Sequence, residues 1–480
     1  MDSHDLFFSC KTGDLHRVKY LVEKKEVELN VRDQWDSSPL YYACLCGHEE
    51  LVEYLLHCGA KCEPNTFDGE RCLYGALNDK IRNTLKNYKA ITSQFMRRDN
   101  FKEFLRKLLD RGSYEDIWFD VHGQQFTAHR CILSARSAYF SEMLETKWNS
   151  KANVSLRHHL VQPTAFQGIL RFLYTDCVQI HIDDVNDVMR LAKQCQLPQL
   201  IEGIEDTLKK MEPFVRSKPG TKITVISVEP SNNNTQLHSD LGKLAERSIP
   251  NQINNWVSHG ELPFFSEEED RPFFADICFS VEGHNFYCHK AFFCCRSDYF
   301  KALISDHFSE METDTEEEMP VMSLQDITAD VFSEVVRYLY SDTPQISPIL
   351  AYDVLCVADR YLLPGLKRIC ANVIAQHLDE TNVISVLRAS RMFELPRLED
   401  QCAEYMASIF DKIVTTDEFA ELVKEDAASV EEREETDSIP IVDDIRYHIT
   451  SNVQTFSAMA EANEKLSALD ELLIRLDVEC

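Results

Sequence analysis

Two histidines and two aspartates recur together, and that pattern invites a search for chemistry. His129 lies thirteen residues after Asp116, and His289 lies thirteen after Asp276. A His–Asp pair can work as a general acid–base unit when a nucleophile or second acid comes within hydrogen-bond reach in a pocket. The sequence offers no repeated nucleophile at a spacing that would complete such a site, so no catalytic residue is expected. A second cluster, Cys44, Cys46, Cys58, Cys62 and Cys72 with His48 and His57, could suggest zinc. Its spacings are C-x-C and C-x-x-x-C, without the paired C-x-x-C of zinc ribbons, and small thiols also suit buried helix positions. No P-loop, G-x-G-x-x-G or H-E-x-x-H is present. Neither a metal nor a cofactor is expected.

The elements that would position such residues must fit within 480 residues, enough for three or four compact domains. The formal net charge of -30, from 80 acids against 50 bases, would repel phosphate backbones and anionic membrane surfaces. Nucleic acid and membranes are therefore not expected as partners. The N-terminal M-D-S-H-D-L-F-F carries acids where a secretory leader carries bases, and no apolar run is long enough to span a bilayer. The 17 cysteines are scattered singly through apolar patterns, which fits thiols in a reducing compartment. The expectation is a cytoplasmic protein, with the nucleus as a second compartment.

Internal repeats organise the chain. Gly13-Asp14 opens a helix-like stretch with Val18, Leu21 and Val22; thirty-four residues on, Gly47-His48 opens another with Val52, Leu55 and Leu56. Ahead of the second, Ser38-Pro39-Leu40-Tyr41-Tyr42-Ala43 resembles the ankyrin signature T-P-L-H-x-A, and Arg71 to Ala76 repeats it in weaker form. Pro39 suits a first helical turn, where its missing N–H leaves no bond unmade. A stack this short needs a cap, and Phe101, Phe104, Leu105, Leu108 and Leu109, on one helical face, are a candidate.

The second repeat is longer. Residues 114–148 and 274–308 align at a constant offset with eleven identities in thirty-five positions, among them Gly123/Gly283 and Arg136/Arg296. After an insertion the match resumes, with Leu173-Tyr174 facing Leu339-Tyr340 and L-A-K-Q-C-Q-L-P-Q-L facing V-A-D-R-Y-L-L-P-G-L. One domain is present twice. Each copy opens with alternating strand residues, a glycine at the reversal and a second strand, followed by helical periodicity. The fold class expected is α+β, predominantly helical.

The shared pattern D-[IV]-x-[FI]-x-V-x-G-x-x-F-x-x-H-[RK], then R-S-x-Y-F, then F-x-x-[IV]-L-[RY]-[FY]-[LM]-Y-[ST], resembles the BTB/POZ domain. With the segment ahead of it, the chain resembles the ankyrin repeat and BTB/POZ domain-containing family. The organisation expected is ankyrin repeats at 1–90, a helix at 91–113, a first BTB domain at 114–212 and a linker at 213–272. A second BTB domain follows at 273–378, then helices similar to a BACK domain at 379–426 and an acidic helical tail at 427–480. The linker carries a strand-like Ile223-x-Val225-x-Ser227-Val228. In the tail, Ile445, Ile449, Phe456, Leu466, Leu469, Leu473 and Leu476 mark an amphipathic helix, for a partner or for the BACK-like segment.

The resemblance implies a protein-interaction adaptor, a substrate-recognition subunit of a cullin-3 ubiquitin ligase. The alternative is a signalling or transcriptional-regulatory scaffold without a ligase. It makes His129 and His289 structural, and it makes Asp116 with Arg130 and Asp276 with Lys290 charge pairs near a pairing interface. It also implies cullin docking through an apolar-x-Glu motif, which Phe308-Ser309-Glu310 matches and Trp148-Asn149-Ser150 does not. The bland alternative is that Phe308 only closes a helix. Trp35, Asp36, Phe67 and Asp68 are the candidate ankyrin positions for an unidentified protein substrate. The acidic, proline-bounded run before the second copy cannot form the helix through which BTB domains pair. Either the two copies pair within one chain, or the first copy alone self-associates.

Overall fold

A computed structural model describes residues 2–23, 27–62, 65–87, 100–218, 223–229, 236–253, 274–310, 319–429, 438–451 and 456–478. Side chains of residues 306–310 lie outside that description. Three helix hairpins come first: Asp2–Thr12 with Leu15–Glu23, Pro39–Cys46 with Glu49–His57, and Phe67–Gly75 with Asp79–Asn87. Gly13 and Gly47 each turn the chain in the left-handed region, with φ of +79° and +84°. A Cβ on Gly13 would also lie 2.5 Å from the His48 ring, so the close stacking of hairpins needs glycine there. Ser38 Oγ accepts the Tyr41 N–H at 3.2 Å, and Thr66 Oγ1 accepts the Gly69 N–H at 3.1 Å. These matching caps place the third inner helix at Phe67, ahead of the weak signature at Arg71. Capping chemistry, more than the residual motif, sets where that helix starts.

Each longer repeat holds a three-stranded sheet. In the first, Ile117–Val121 pairs antiparallel with Gln124–Ala128 and parallel with Asn153–Leu156; in the second, Ile277–Val281 pairs the same way with His284–Cys288 and Val321–Leu324. The hairpins turn at His122-Gly123 and Glu282-Gly283, four residues with positive φ, the geometry that matches strand twist. Nothing approaches a Cβ position on either glycine, so the dihedral alone calls for it. Helices then wrap each sheet: Arg130–Arg136, Ala138–Glu145, Pro163–Thr175, Val185–Gln194 and Pro198–Ser217 in the first copy. The second copy has Lys290–Arg296, Asp298–Glu310, Ala329–Ser341, Ala351–Arg360 and Pro364–Ala375.

The segment read as a linker is largely structural. Val225–Val228 pairs antiparallel with Val178–His181 of the first copy. Gln236–Ser248 is a helix with Leu237, Leu241 and Ala245 fully buried. The polar run at 231–235 lies outside the described residues.

After the second copy come Val383–Met392, Pro396–Ser408, Phe410–Ile413, Asp417–Ala428, Pro440–Ser451 and Phe456–Leu476. Ile445, Ile449, Leu469 and Leu473 are buried, and Pro440–Ser451 packs along Pro396–Ser408. The tail thus covers the chain's own helices with the face that could have met a partner. No helix among the described residues is long and apolar enough to cross a membrane.

Candidate protein-interaction sites

The recurring His is buried in each copy, and the recurring Asp is half-buried. The Tyr174 hydroxyl lies 2.9 Å from the His129 backbone N and 2.7 Å from its Nδ1, and Tyr340 repeats both distances to His289. His129 Nε2 meets the Ser113 carbonyl at 2.8 Å. Burial favours the uncharged ring and lowers the His129 pKa. The repeated histidine and tyrosine therefore tie the second strand to the long helix above it.

Asp116 and Asp276 act through the backbone. Asp116 Oδ1 accepts the Arg130 N–H at 2.8 Å, and Asp276 Oδ1 accepts the Lys290 N–H at 2.7 Å, each at the start of a helix. The Arg130 guanidinium reaches instead to the carbonyls of Asn149 at 3.0 Å and Lys151 at 2.7 Å. The expected charge pair is thus a helix-start contact, because the arginine finds better-placed acceptors in the turn at 148–151. Burial pushes the Asp116 carboxyl up to about 6, with Asp276 adding to the rise; burial also raises Asp276.

The R-S-x-Y-F signature resolves into distinct jobs. Ser137 and Ser297 accept the N–H of Phe140 and Phe300 at 3.3 and 3.2 Å and donate to the carbonyls of Cys195 and Tyr361 at 2.8 and 2.7 Å. Arg136 donates to the Leu173 carbonyl at 2.9 Å and binds Asp176, while Arg296 binds Asp342 at 2.5 Å. Both aspartates stand at the left-handed C-cap of the long helix.

The two copies face each other about an approximate two-fold arrangement. Helix Asn100–Arg111 packs on Pro163–Thr175 of its own copy and on Lys290–Arg296 of the other. Helix Gln236–Ser248 does the reverse, packing on Ala329–Ser341 and on Arg130–Arg136. It is the pairing helix of the second copy, placed upstream of the acidic run where the sequence reading saw none. Phe101 stacks on His238 with centroids 5.0 Å apart, joining the two pairing helices. Across the seam, Arg136 reaches Asp240 at 2.7 Å, and Arg296 lies 5.1 and 5.5 Å from the Phe101 and Phe104 rings. Phe101, Leu105 and Leu108 belong to this seam and do not cap the ankyrin stack.

The ankyrin hairpins are covered instead by the first BTB copy. Phe214, near the end of Pro198–Ser217, lies edge-on to Phe67 at 5.5 Å. Lys210 pairs with Asp36 at 3.1 Å, Arg32 pairs with Asp68 at 2.7 Å, and the Asn65 carbonyl accepts the Thr224 N–H at 3.1 Å. Of the four expected substrate positions, Asp36, Phe67 and Asp68 are engaged within the chain, while Trp35 is 63% exposed. Docking of the two domains was invisible in local sequence because its partners are some 140 to 180 residues apart, as with Lys210 and Asp36.

At the expected docking motif the copies differ. In the first, helix Ala138–Glu145 ends early, the Trp148 N–H returns to the Met143 carbonyl, and the Trp148 ring is buried 5.6 Å from Phe119. In the second, the helix runs on through Glu310. The Phe308 and Glu310 side chains lie outside the described residues. Of the cysteines, Cys44, Cys62 and Cys72 come together as buried thiols, with the Cys72 thiol held protonated. No group of side chains among the described residues is arranged to hold a metal.

Comparison with known proteins agrees with this architecture. The BTB/POZ domain profile matches residues 105–212 and 265–378, and the profile of three ankyrin repeats matches residues 5–68. A BTB/POZ domain-containing protein 3 of Schizosaccharomyces pombe is 32% identical over 99% of this chain and 90% of its own length. The chain belongs to the ankyrin repeat and BTB/POZ domain-containing family. An ankyrin repeat-containing protein of Saccharomyces cerevisiae is 29% identical over 93% of this chain and 88% of its own length. The human Inhibitor of Bruton tyrosine kinase is 22% identical over 85% of this chain but only 34% of its own length. Ankyrin repeats and BTB domains are interaction folds, and the family's members are protein-interaction adaptors.

Proposed function

We propose that this family member is a non-enzymatic adaptor that docks cullin-3 through its second BTB copy and holds a protein substrate elsewhere on its surface, in the cytoplasm and nucleus. The supporting observation is the asymmetry at the helix after R-S-x-Y-F. The first copy turns its aromatic, Trp148, into the core, whereas the second continues the helix through Phe308-Ser309-Glu310. Only the second copy thus carries both a matching motif and a helical frame for it. A further support is the exposed apolar set Ile349, Tyr352 and Met392, where the second copy meets the BACK-like helices and Tyr352 contacts Phe393 at 6.2 Å. Concentrating substrate beside a ubiquitin-charged ligase would then be the whole contribution.

Titration of the full-length chain with the N-terminal region of cullin-3, by calorimetry, tests the reading. Binding by the parent and at least about a tenfold loss in a Phe308→Ala/Glu310→Lys variant is the expected outcome, as for a truncated hot spot. Absence of binding by the parent would leave a scaffold with no ligase attached.

A further inference from the structure

Each three-stranded sheet ends on one side in its parallel strand, Asn153–Leu156 in the first copy and Val321–Leu324 in the second. Among the described residues no strand pairs with the outer side of either. The Trp118 N–H meets the Ala152 carbonyl at 2.8 Å, which sets the phase of the first ladder. Residues 152, 154 and 156 therefore bond inward, and the peptide groups of Asn153 and Ser155 face out from the edge. Such an edge is a template for another extended chain.

The two edges differ in charge. In the first copy Asn153 and Ser155 are exposed on the strand, and Lys151 and Arg157 flank them, also exposed. The row runs for about 20 Å at roughly 3.3 Å per residue. Arg157 donates to a neutral partner, Ser155 Oγ, at 3.1 Å, and Lys151 holds Arg130 through its carbonyl alone. Neither cation makes an ion pair among the described residues. Asp120, beside Ser155 in register, accepts the Gly123 N–H at 2.8 Å. Beyond Arg157 the turn is fixed: the His158 carbonyl takes the Val161 N–H at 2.9 Å, and His159 takes Gln162 Nε2 at 2.9 Å. In the second copy the Pro320 carbonyl meets the Cys278 N–H at 2.9 Å, as Ala152 meets Trp118. The matching row there is Met319, Val321, Ser323 and Gln325, without a cation.

Cations on an edge strand guard it against pairing with its like. That guard is selective, since it repels a second such edge and attracts an acidic strand. We propose that the Asn153–Leu156 edge adds a strand from a partner protein, an extended segment with Asp or Glu at alternate positions. Its peptide groups bond to those of Asn153 and Ser155, and its carboxylates meet Lys151 and Arg157. Nucleic acid is disfavoured, because two cations on a chain of net charge -30 cannot offset the repulsion of a phosphate backbone. Acids also alternate in this chain, at Glu310, Glu312, Asp314 and Glu316. Pairing through them would join the first copy of one molecule to the second copy of the next, without the closure of a symmetric pair. The proposal deepens the adaptor reading by naming the substrate class, and it rests on that reading only for the fate of what is bound.

The test uses the full-length chain and a fluorescein-labelled ten-residue peptide alternating Glu with Val, followed by anisotropy. Companion peptides carry Gln or Lys for Glu, or backbone N-methyl groups on the odd or on the even residues. Expected is saturable binding of the first peptide, weakened about tenfold or more by Gln or Lys. Only one methylation pattern should cost as much, because alternate N–H groups point to opposite edges of a strand. A Lys151→Glu/Arg157→Glu variant should lose about tenfold and Lys151→Arg/Arg157→Lys should keep binding, with thermal melting unchanged in both. Lys424→Glu, exposed on Asp417–Ala428, is the charge control. Equal binding of the Lys peptide, equal effects of the two methylation patterns or insensitivity to the Glu variant would overturn the proposal. So would tighter binding of a ten-nucleotide oligothymidylate, or no peptide binding at about 1 mM. Sedimentation of the chain alone supplies the last arm: self-association that the Glu variant abolishes would give the edge to a second copy and overturn the assignment to a partner. Cullin-3 plays no part in these assays, so their outcome stands apart from that of the docking experiment.

Discussion

At the scale of single residues, the repeated polar groups hold the fold in register. Asp116 shows how such a group writes itself into pH dependence. Its carboxyl is pushed up to about 6 by burial, above the usual range near 3.9 of an unfolded chain. The folded state therefore binds the extra proton between about pH 4 and 6, and this group's contribution to stability falls as pH rises through that window. An Asp116→Asn variant keeps an oxygen for the Arg130 N–H and removes the ionisation. Its unfolding free energy relative to the parent should rise from pH 4 to 6 and then level off, by on the order of 1–2 kcal/mol. A flat difference curve from urea titrations across that range would refute the assignment.

At the scale of elements, one turn is used three times. Helices Val185–Gln194, Ala351–Arg360 and Val383–Met392 each end in a left-handed residue, Gln196, Leu362 or Glu394, with φ of 54–55°. The next residue is a buried leucine whose N–H reaches back to a carbonyl of the helix, at 2.8–2.9 Å, and a proline then opens the next helix. The third use lies beyond the second copy, so the helices that follow it continue its hairpin geometry. A side chain in the left-handed region costs about 1 kcal/mol, which glycine avoids. Leu362 is 57% exposed, so Leu362→Gly loses little packing. Stabilisation by about 0.5–1 kcal/mol is expected in thermal unfolding, and destabilisation by that amount would contradict the argument.

At the scale of the whole molecule, the chain builds within itself what two separate BTB chains would otherwise build together. Both pairing helices cross the seam, and Leu237, Leu241 and Phe101 are fully buried in it. Because the contact is made by packing and not by the connection, a protease site inserted between 254 and 273 should give two fragments that still co-elute on gel filtration after cleavage. Adding Leu241→Asp puts an unpaired carboxylate in that seam at a cost of about 3–5 kcal/mol. The cleaved fragments should then separate; if they stay together, the seam is not what joins the halves.

Much of this was legible from residues alone. Alternation with a glycine reversal gave the hairpins, and a constant offset of identical residues gave the duplicated domain. The spacing of Gly13 and Gly47 gave the first two ankyrin hairpins. These signals are local, because backbone dihedrals and side-chain periodicity act over a few residues. What joins the parts was decided by tertiary structure. The helix Gln236–Ser248 looked like linker because its His238 and Asp240 are ordinary until Ser341 and Arg136 stand opposite them. Asp116 looked like an ion-pair partner until the turn at 148–151 offered Arg130 closer oxygens. The ankyrin positions looked open until Phe214 and Lys210 closed on them. Sequence by itself determined which modules this chain contains, since each carries its own periodicity and turn chemistry. Only the tertiary structure decided which of their faces meet, because that depends on packing between residues a hundred or more positions apart.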